Sequence, residues 1–151
     1  MFFFISRVII QSVKLKHLVI SDEVTTVNDH ALYQMQGLES FTGGENVSVF
    51  DKYNLYQCPN LKSVVLKGSF IIGNYSINGC PKLETISMEG DIRGHGAYAL
   101  YDLPGLKAYS VNEGNIYYNV IDGVLFNGTH LLRYPSAKEF TLEHRHLTIQ
   151  M

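Results

Sequence analysis

The sequence predicts a β-solenoid in which short parallel strands stack on one another. A twelve-residue stretch recurs four times without a gap, a short alternating pattern follows each copy, and two turn dipeptides mark a different region further on. The chain has 151 residues, of which 46% are hydrophobic and 17% are charged. This composition is typical of one folded, soluble domain. We therefore expect a single repeat domain over residues 1–151.

The recurring stretch ends in a leucine each time. Its copies are VNDHALYQMQGL (27–38), FDKYNLYQCPNL (50–61), IGNYSINGCPKL (72–83) and HGAYALYDLPGL (95–106). With Leu15, the leucines are separated by 23, 23, 22 and 23 residues. Such a period lies within the range of ~20 to 29 residues found in leucine-rich repeats, which bury apolar side chains by stacking on their neighbours. We expect the repeats to cover about residues 4–115.

Each leucine opens a short run in which apolar and polar residues alternate. The runs are LKHLVI, LESFTG, LKSVVL, LETISM and LKAYSV. Alternation of this kind is typical of a half-buried strand, whereas a helix would repeat its apolar residues every three to four positions. The sequence therefore predicts about five stacked parallel strands. Two further inward columns are expected: Val24, Val47, Phe70 and Ile92 form one, and Leu32, Leu55, Ile77 and Leu100 form the other.

The residues after the leucines alternate in charge from one repeat to the next. They are Lys16, Glu39, Lys62, Glu84 and Lys107. Stacked strands lie ~4.8 Å apart, so this column would place opposite charges side by side, which supports the alignment. The next outward positions are mostly small: His17, Ser40, Ser63, Thr85 and Ala108. We take the charged column together with His17, Ser40, Ser63 and Thr85 as a candidate protein-binding surface, the strand face. The alternative is that small and β-branched residues simply suit an exposed strand.

Aromatic residues recur at two positions of the twelve-residue module. The first row is His30, Tyr53, Tyr75 and Tyr98, and the second is Tyr33, Tyr56 and Tyr101, interrupted by Asn78. Tyrosines on a rigid scaffold offer a large contact area and lose little entropy on binding, although they also serve as spacers between repeats. We add Tyr53, Tyr75 and Tyr98 to the candidate protein-binding residues.

The period changes after residue 115. Asp122-Gly123 and Asn127-Gly128 separate three apolar runs, and both dipeptides accept the positive φ angles of type I′ turns. We expect an antiparallel meander over about residues 116–134 that caps or interrupts the solenoid. An incomplete repeat is expected over residues 135–151, and residues 4–15 fit the module at the other end.

Motifs of catalysis and cofactor binding are missing from the sequence. Cys58 and Cys80 occupy equivalent positions and predict buried free thiols, with a disulfide as the less favoured alternative. His144 and His146 lack a third ligand at metal-site spacing, so a solvated tail is expected there. We find no phosphate-binding loop, dinucleotide fingerprint or nucleophile elbow. No catalytic residue, metal or cofactor is predicted.

Charge and apolar runs bear on partners and export. A net charge of −2 argues against nucleic acid, and no run approaches the ~18 apolar residues of a membrane span. The opening MFFFISRVII lacks a positive region and a cleavage site, so it is not a clear signal peptide. Asn46, Asn74 and Asn127 lie in N-x-[ST] sequons and are candidate glycosylation sites if the chain is exported.

The repeat rhythm and the segment NVIDGVLFNGTHLLRYPSAKE (119–139) resemble the BspA-type leucine-rich repeat proteins, over about residues 15–138. The resemblance implies a right-handed solenoid from a surface or secreted microbial protein that binds protein ligands and mediates adhesion. It carries no catalytic residues. The sequence departs from the family at its Ala-Phe positions, for example Asn54-Leu55 and Ser76-Ile77. Asn54 therefore needs a hydrogen-bond partner or solvent.

Two alternatives to a surface module stay open. An intracellular scaffold in the cytoplasm is favoured by the lack of a clear signal peptide. A non-functional fragment of a longer solenoid is favoured by the start inside a repeat. Repeat arrays need polar caps at their ends, so end-to-end association through uncapped edges is also expected.

Overall fold

The structure is a computed structural model that describes residues 3–5 and 12–139. This part of the chain contains strands and turns but no helix. Its strands are β1 (Phe3–Ile5), β2 (His17–Val19), β3 (Val24–Val27), β4 (Ser40–Thr42), β5 (Val49–Phe50), β6 (Ser63–Leu66), β7 (Ile71–Ile72), β8 (Ile77–Asn78), β9 (Thr85–Met88), β10 (Gly94–His95), β11 (Leu100–Tyr101), β12 (Ala108–Val111), β13 (Asn119–Ile121), β14 (Val124–Asn127) and β15 (His130–Arg133). His144 and His146, most of the incomplete repeat expected over residues 135–151, and residues 6–11 of the module expected over residues 4–15 lie outside the described residues.

The five predicted strands form one parallel sheet. Its order is β2-β4-β6-β9-β12, so each strand pairs with its equivalents in the neighbouring repeats. The register follows the predicted column, with partners His17, Ser40, Ser63, Thr85 and Ala108. The alignment of the repeats and the five-stranded parallel stack are confirmed.

Two further parallel sheets complete the solenoid. One also has five strands, in the order β1-β3-β5-β7-β10, and the other consists of β8 and β11. The name five-stranded sheet is kept for β2-β4-β6-β9-β12. Most strands of the two further sheets are two residues long, which is too short for an alternating pattern to be visible in the sequence. Apart from Leu32 and Leu55, which lie in turns, the residues of the inward columns reported above lie on or close to these strands. Each coil of about 23 residues therefore contributes to more than one sheet.

The core is made of the predicted apolar columns. Leu38, Leu61, Leu83 and Leu106 are at most 1% exposed, and full burial of a leucine side chain contributes about 1.5 to 3 kcal/mol. Of the two further columns, all members are buried except Val24. Leu15 and Val24, which belong to the first described coil, are only partly buried.

Glycine allows successive coils to approach each other closely at two places. A Cβ atom added at Gly68 would clash with the carbonyl oxygen of Val47, and one at Gly90 would clash with that of Lys67. Such clashes with backbone atoms exclude any side chain at these places. The two glycines therefore hold the bends after β6 and β9 against the preceding coil.

The predicted meander is an antiparallel sheet with the order β13-β14-β15. Asp122 and Gly123 link Ile121 to Val124 with φ angles of 49° and 75°, as a type I′ turn requires. The second turn lies one residue later than the dipeptide suggests, because Asn127 ends β14 and pairs with His130. The sequence placed Asn127 in the turn, and the strand pairing instead leaves Gly128 and Thr129 as the loop.

This antiparallel sheet covers the last strand of the five-stranded sheet. The N–H of Tyr109 in β12 donates to the carbonyl oxygen of Gly123 at 2.8 Å. Leu125 is fully buried and belongs to the same core as the leucine columns. After β15, the N–H of Ala137 donates to the carbonyl oxygen of Leu106 at 2.8 Å. The antiparallel sheet of β13, β14 and β15 therefore packs on the last described coil, and we call it the capping sheet.

Candidate functional site

The charged column of the strand face forms ion pairs between neighbouring coils. The Nζ of Lys16 lies 3.0 Å from Oε1 of Glu39, and the Nζ of Lys62 lies 2.8 Å from Oε2 of the same glutamate. Further along, the Nζ of Lys107 lies 2.9 Å from Oε2 of Glu84. The strands position these side chains because parallel pairing makes equivalent residues neighbours.

Glu39 is the centre of this column because it accepts from two lysines. The hydrogen bond from Lys62 and then that from Lys16 lower the pKa of Glu39 to about 2. In return, the hydrogen bond to Glu39 raises the pKa of Lys62. Charge-assisted hydrogen bonds favour the ionised form of both partners.

The neighbouring column of the strand face is small and partly polar. The Nδ1 atom of His17 and the Oγ atom of Ser40 lie 2.8 Å apart. Ser40 and Ser63 are partly exposed, and Thr85 is exposed. All nine predicted residues of the strand face therefore lie on or beside the five-stranded sheet.

The first aromatic row is a continuous stack along the coils. The ring centroids of His30 and Tyr53 lie 4.8 Å apart, those of Tyr53 and Tyr75 5.1 Å, and those of Tyr75 and Tyr98 5.2 Å. The interplanar angles are 20°, 2° and 16°. Because each ring covers the face of the next, the row presents mainly ring edges and hydroxyl groups to its surroundings.

The second aromatic row packs against the first. Tyr33 and Tyr56 stack at 5.5 Å, while Tyr56 meets Tyr53 edge-on at the same distance. Tyr101 meets Tyr98 edge-on at 5.5 Å. The interruption is filled by Asn78, whose buried side chain donates from Nδ2 to the carbonyl oxygen of Tyr98 at 2.8 Å.

Every member of the first row has a left-handed backbone. The φ angles of His30, Tyr53, Tyr75 and Tyr98 lie between 54° and 57°, which is unusual for a bulky residue. The N–H of Tyr53 donates to the carbonyl oxygen of Asn74 at 3.0 Å, one coil further on, and the first three members all make such a bond. Hydrogen bonding between coils thus accompanies this conformation in the first three members, whereas Tyr98 adopts it without such a bond in the described part of the chain.

A second left-handed column follows four residues later in each coil. Its members are Gln34, Gln57, Gly79 and Asp102, with φ angles of 52°, 52°, 67° and 56°. The sequence analysis missed both columns. The signal for the second was present in Gly79, because glycine is the residue that adopts this conformation without steric cost.

The predicted binding residues divide into two surfaces. The strand face belongs to the five-stranded sheet, whereas the aromatic rows flank β8 and β11. Tyr98 and Tyr101 are the most exposed members of the rows, at 52% and 57%. The structure therefore joins the tyrosines to one another but does not join them to the charged column.

The cysteines belong to the core and are not joined by a disulfide. Cys58 and Cys80 are fully buried free thiols. The Sγ of Cys80 lies 3.1 Å from the carbonyl oxygen of Leu55. The hydrogen bond with Cys58, together with burial, raises the pKa of the Cys80 thiol well above its usual range. A protonated thiol is a poor nucleophile and metal ligand.

Asn54, which the sequence left without an assigned partner, is hydrogen-bonded inside the fold. Its Nδ2 donates to the carbonyl oxygens of Asp51 at 2.9 Å and Val27 at 3.3 Å. The contact with Val27 therefore links Asn54 to the preceding coil, whereas the contact with Asp51 lies within its own coil. The equivalent Ser76 donates from Oγ to the same Asp51 carbonyl at 2.6 Å.

The three sequon asparagines are exposed in the structure. Asn46 donates from Nδ2 to the carbonyl oxygen of Asp22 at 2.8 Å, and Oδ1 of Asn74 accepts from the N–H of Ala97 at 2.9 Å. Residues 12–139 hold no cluster of three or more histidine, cysteine or acidic side chains suited to a metal ion. Within the same part of the chain there is no helix that could span a membrane.

Comparison with known proteins agrees with this geometry. The family model of the BspA-type leucine-rich repeat region matches residues 5–131 in six copies. No curated protein and no solved structure gives a significant match. The match covers most of the chain and ends within β15 of the capping sheet. The stacked coils, the leucine columns and this match together show that the chain belongs to the BspA-type leucine-rich repeat family.

Proposed function

We propose that this chain is a non-catalytic protein-binding module of a surface or secreted microbial protein of the adhesin type. Proteins of its repeat family are typically non-enzymatic and surface-associated. The single observation that supports the proposal most strongly is the pair of stacked aromatic rows, which hold tyrosines in fixed positions on a rigid solenoid. Such residues lose little conformational entropy when a partner binds.

The exposed ends of the rows are the best contact residues. Tyr98 and Tyr101 offer more than half of their surface to a partner, and their edge-on contact fixes both rings. Tyrosine is enriched among the residues that dominate binding at protein interfaces. The strand face serves as a second, more polar contact surface, with Lys16, Lys62 and Lys107 on its exposed side.

A photo-crosslinking experiment on intact cells tests this proposal. The full chain carries a benzophenone amino acid at Tyr101 in one variant and at Val49, which is exposed on the other five-stranded sheet, in the control. We expect a discrete adduct on the cell surface from the Tyr101 variant, and we expect excess unlabelled wild-type chain to suppress it. Equal labelling from both positions, or no suppression by competitor, would contradict the proposal.

The second candidate function is an intracellular scaffold for protein partners, which the free thiols of Cys58 and Cys80 favour, because disulfides are rare in the cytosol. The intact mass of the chain from its native source separates the two. A mass above 17.0 kDa with glycan heterogeneity at Asn46, Asn74 or Asn127 supports export. A chain that carries no glycan and is protected from protease on intact cells supports the scaffold.

A further inference from the structure

The last coil of the solenoid borders an open groove of about 750 Å³. The groove lies between this coil and the end of the capping sheet. Its wall includes Tyr98, Leu100 and Asp102 from the coil, Tyr109 from β12, and Arg133 and Tyr134 at the end of β15. It is separate from the strand face and touches the aromatic rows only at their last members.

The coil side of this groove is an unpaired edge of the ladder that links the coils. In the preceding coil, Tyr75, Ile77 and Gly79 donate their N–H groups to the carbonyl oxygens of Ala97, Ala99 and Tyr101, at 3.0, 2.8 and 3.2 Å. The equivalent residues of the last coil are Tyr98, Leu100 and Asp102. Within residues 12–139, these three N–H groups have no backbone acceptor, because the capping sheet covers β12 and not β11.

The spacing of these donors fits an extended chain, with Leu100 in strand β11 and the left-handed residues Tyr98 and Asp102 on either side of it. They come from alternate residues, and parallel strands pair through alternate residues on each strand. A peptide in the groove therefore can accept all three hydrogen bonds with successive alternate carbonyl oxygens. Addition of a strand to an unpaired edge is a recurrent mode of peptide recognition, in which backbone bonds give affinity and side-chain contacts give specificity.

The opposite wall supplies a cation without a carboxylate partner. Arg133 donates from Nη1 to the carbonyl oxygen of Leu132 at 2.9 Å, while its Nε is shielded from solvent and has no partner in the described part of the chain. No carboxylate of residues 12–139 lies within ion-pair distance of its guanidinium. An arginine in such a setting binds a carboxylate favourably, since its planar donor fork matches two carboxylate oxygens.

We propose that this groove binds an extended peptide segment of a partner protein, which pairs with the edge N–H groups of Tyr98, Leu100 and Asp102 and places an acidic side chain against Arg133. This site lies apart from the strand face, but it shares Tyr98 and Tyr101 with the contact residues proposed above, so it rests on the proposed protein-binding function. The Asp102 carboxylate disfavours an acidic side chain at its own end of the groove. The acidic residue of the peptide therefore belongs at the Arg133 end.

The test uses the full chain and a blocked pentapeptide, acetyl-TVEVT-amide, with acetyl-TVQVT-amide as its matched control. Amide chemical shifts and hydrogen exchange report binding at individual residues. We expect the glutamate peptide to shift the amides of Tyr98, Leu100 and Asp102 and to slow their exchange at least tenfold. The glutamine peptide and the Arg133→Gln variant should each bind at least fivefold more weakly, whereas Asp102→Asn should bind as well as wild type or better.

Several results would overturn this proposal. Slow exchange of these three amides in the free chain would mean that the edge is already occupied, either by residues 140–151 or, if it depends on protein concentration, by a second copy. Equal affinity for both peptides in wild type would remove Arg133 from the site. Peptide shifts confined to the strand face, or no shifts at millimolar peptide, would also refute it. If the Tyr101 variant gives no cell-surface adduct in the photo-crosslinking experiment but the glutamate peptide binds as expected, the result counts against the proposed function alone.

Discussion

Tyr53 and Tyr75 stack almost in parallel, with ring centroids 5.1 Å apart and an interplanar angle of 2°, although both residues have left-handed backbones. The favourable ring contact thus coincides with a backbone conformation that costs about 1 to 2 kcal/mol for a residue with a Cβ atom. Hydrogen bonds to the next coil hold both residues there. The aromatic row therefore combines local strain with order between coils, a combination that is common at functional sites.

The strain at Tyr75 predicts an inverted order of two substitutions. Both Tyr75→Ala and Tyr75→Gly remove the ring contacts, but only glycine adopts a φ of 57° without steric cost. We expect the glycine variant to be more stable than the alanine variant by about 1 kcal/mol in urea unfolding. At Thr85, in strand β9, the same pair of substitutions should give the ordinary order, with alanine more stable. An alanine variant at Tyr75 as stable as the glycine variant would show that the backbone is not strained.

The leucine columns should dominate stability. Leu61 and Leu83 are fully buried, so Leu61→Ala or Leu83→Ala should each lower the free energy of unfolding by about 2 to 5 kcal/mol. Ser110→Ala, at an exposed position of β12, should change it by less than about 0.5 kcal/mol. Urea titrations measure all three. A near-neutral result at both leucines would show that this column is not core.

Reversal of one charge in the strand face tests the register between coils. Glu84→Lys replaces the ion pair with Lys107 by a row of three positive side chains with Lys62. We expect a loss of about 0.5 to 1 kcal/mol at low salt. Because screening weakens repulsion between exposed charges, most of this loss should disappear at high ionic strength. The conservative Glu84→Gln should lose less and respond less to salt, and equal behaviour of the two variants would argue against this stacking.

The two lysines around Glu39 predict a pH dependence at the acid end. Its pKa is about 2 in the folded chain and 4.5 as the ordinary value, so its ionised form contributes stability above about pH 4.5. That contribution is lost as the pH falls towards 2. The difference in unfolding free energy between wild type and Glu39→Gln should therefore shrink over this range. An NMR titration of the Glu39 side chain should give a midpoint near 2, and a midpoint near 4.5 would mean that the lysines do not bind it in solution.

The fold was predictable where the sequence is periodic. The leucine spacing gave the five-stranded sheet because each strand there alternates over several residues, and the charges from Lys16 to Lys107 supported the register. The sheets containing β5, β7 and β8 were not predicted, because two-residue strands have no period. Their positions depend on hydrogen bonds between coils, which single-sequence patterns do not report.

The candidate site was predictable only in its parts. The sequence identified the tyrosine rows and the charged column, because equivalent residues of stacked repeats become neighbours. It did not separate them into two surfaces, since this depends on how the chain bends between β6 and β8. Left-handed tyrosines were missed because bulky residues rarely adopt such φ angles. The groove beside Arg133 involves residues from both the coil and the capping sheet, which share no repeat pattern.

Coil-to-coil equivalence has a consequence for how such a chain changes over evolutionary time. The ring stacks, the ion pairs and most backbone bonds between coils join a residue to a partner about 23 positions away. Each coil therefore depends mainly on the two beside it, so recombination that duplicates or deletes a whole coil leaves the other contacts in place. Such an event lengthens or shortens the aromatic rows by one ring, so the number of coils sets the length of the stacked tyrosine surface.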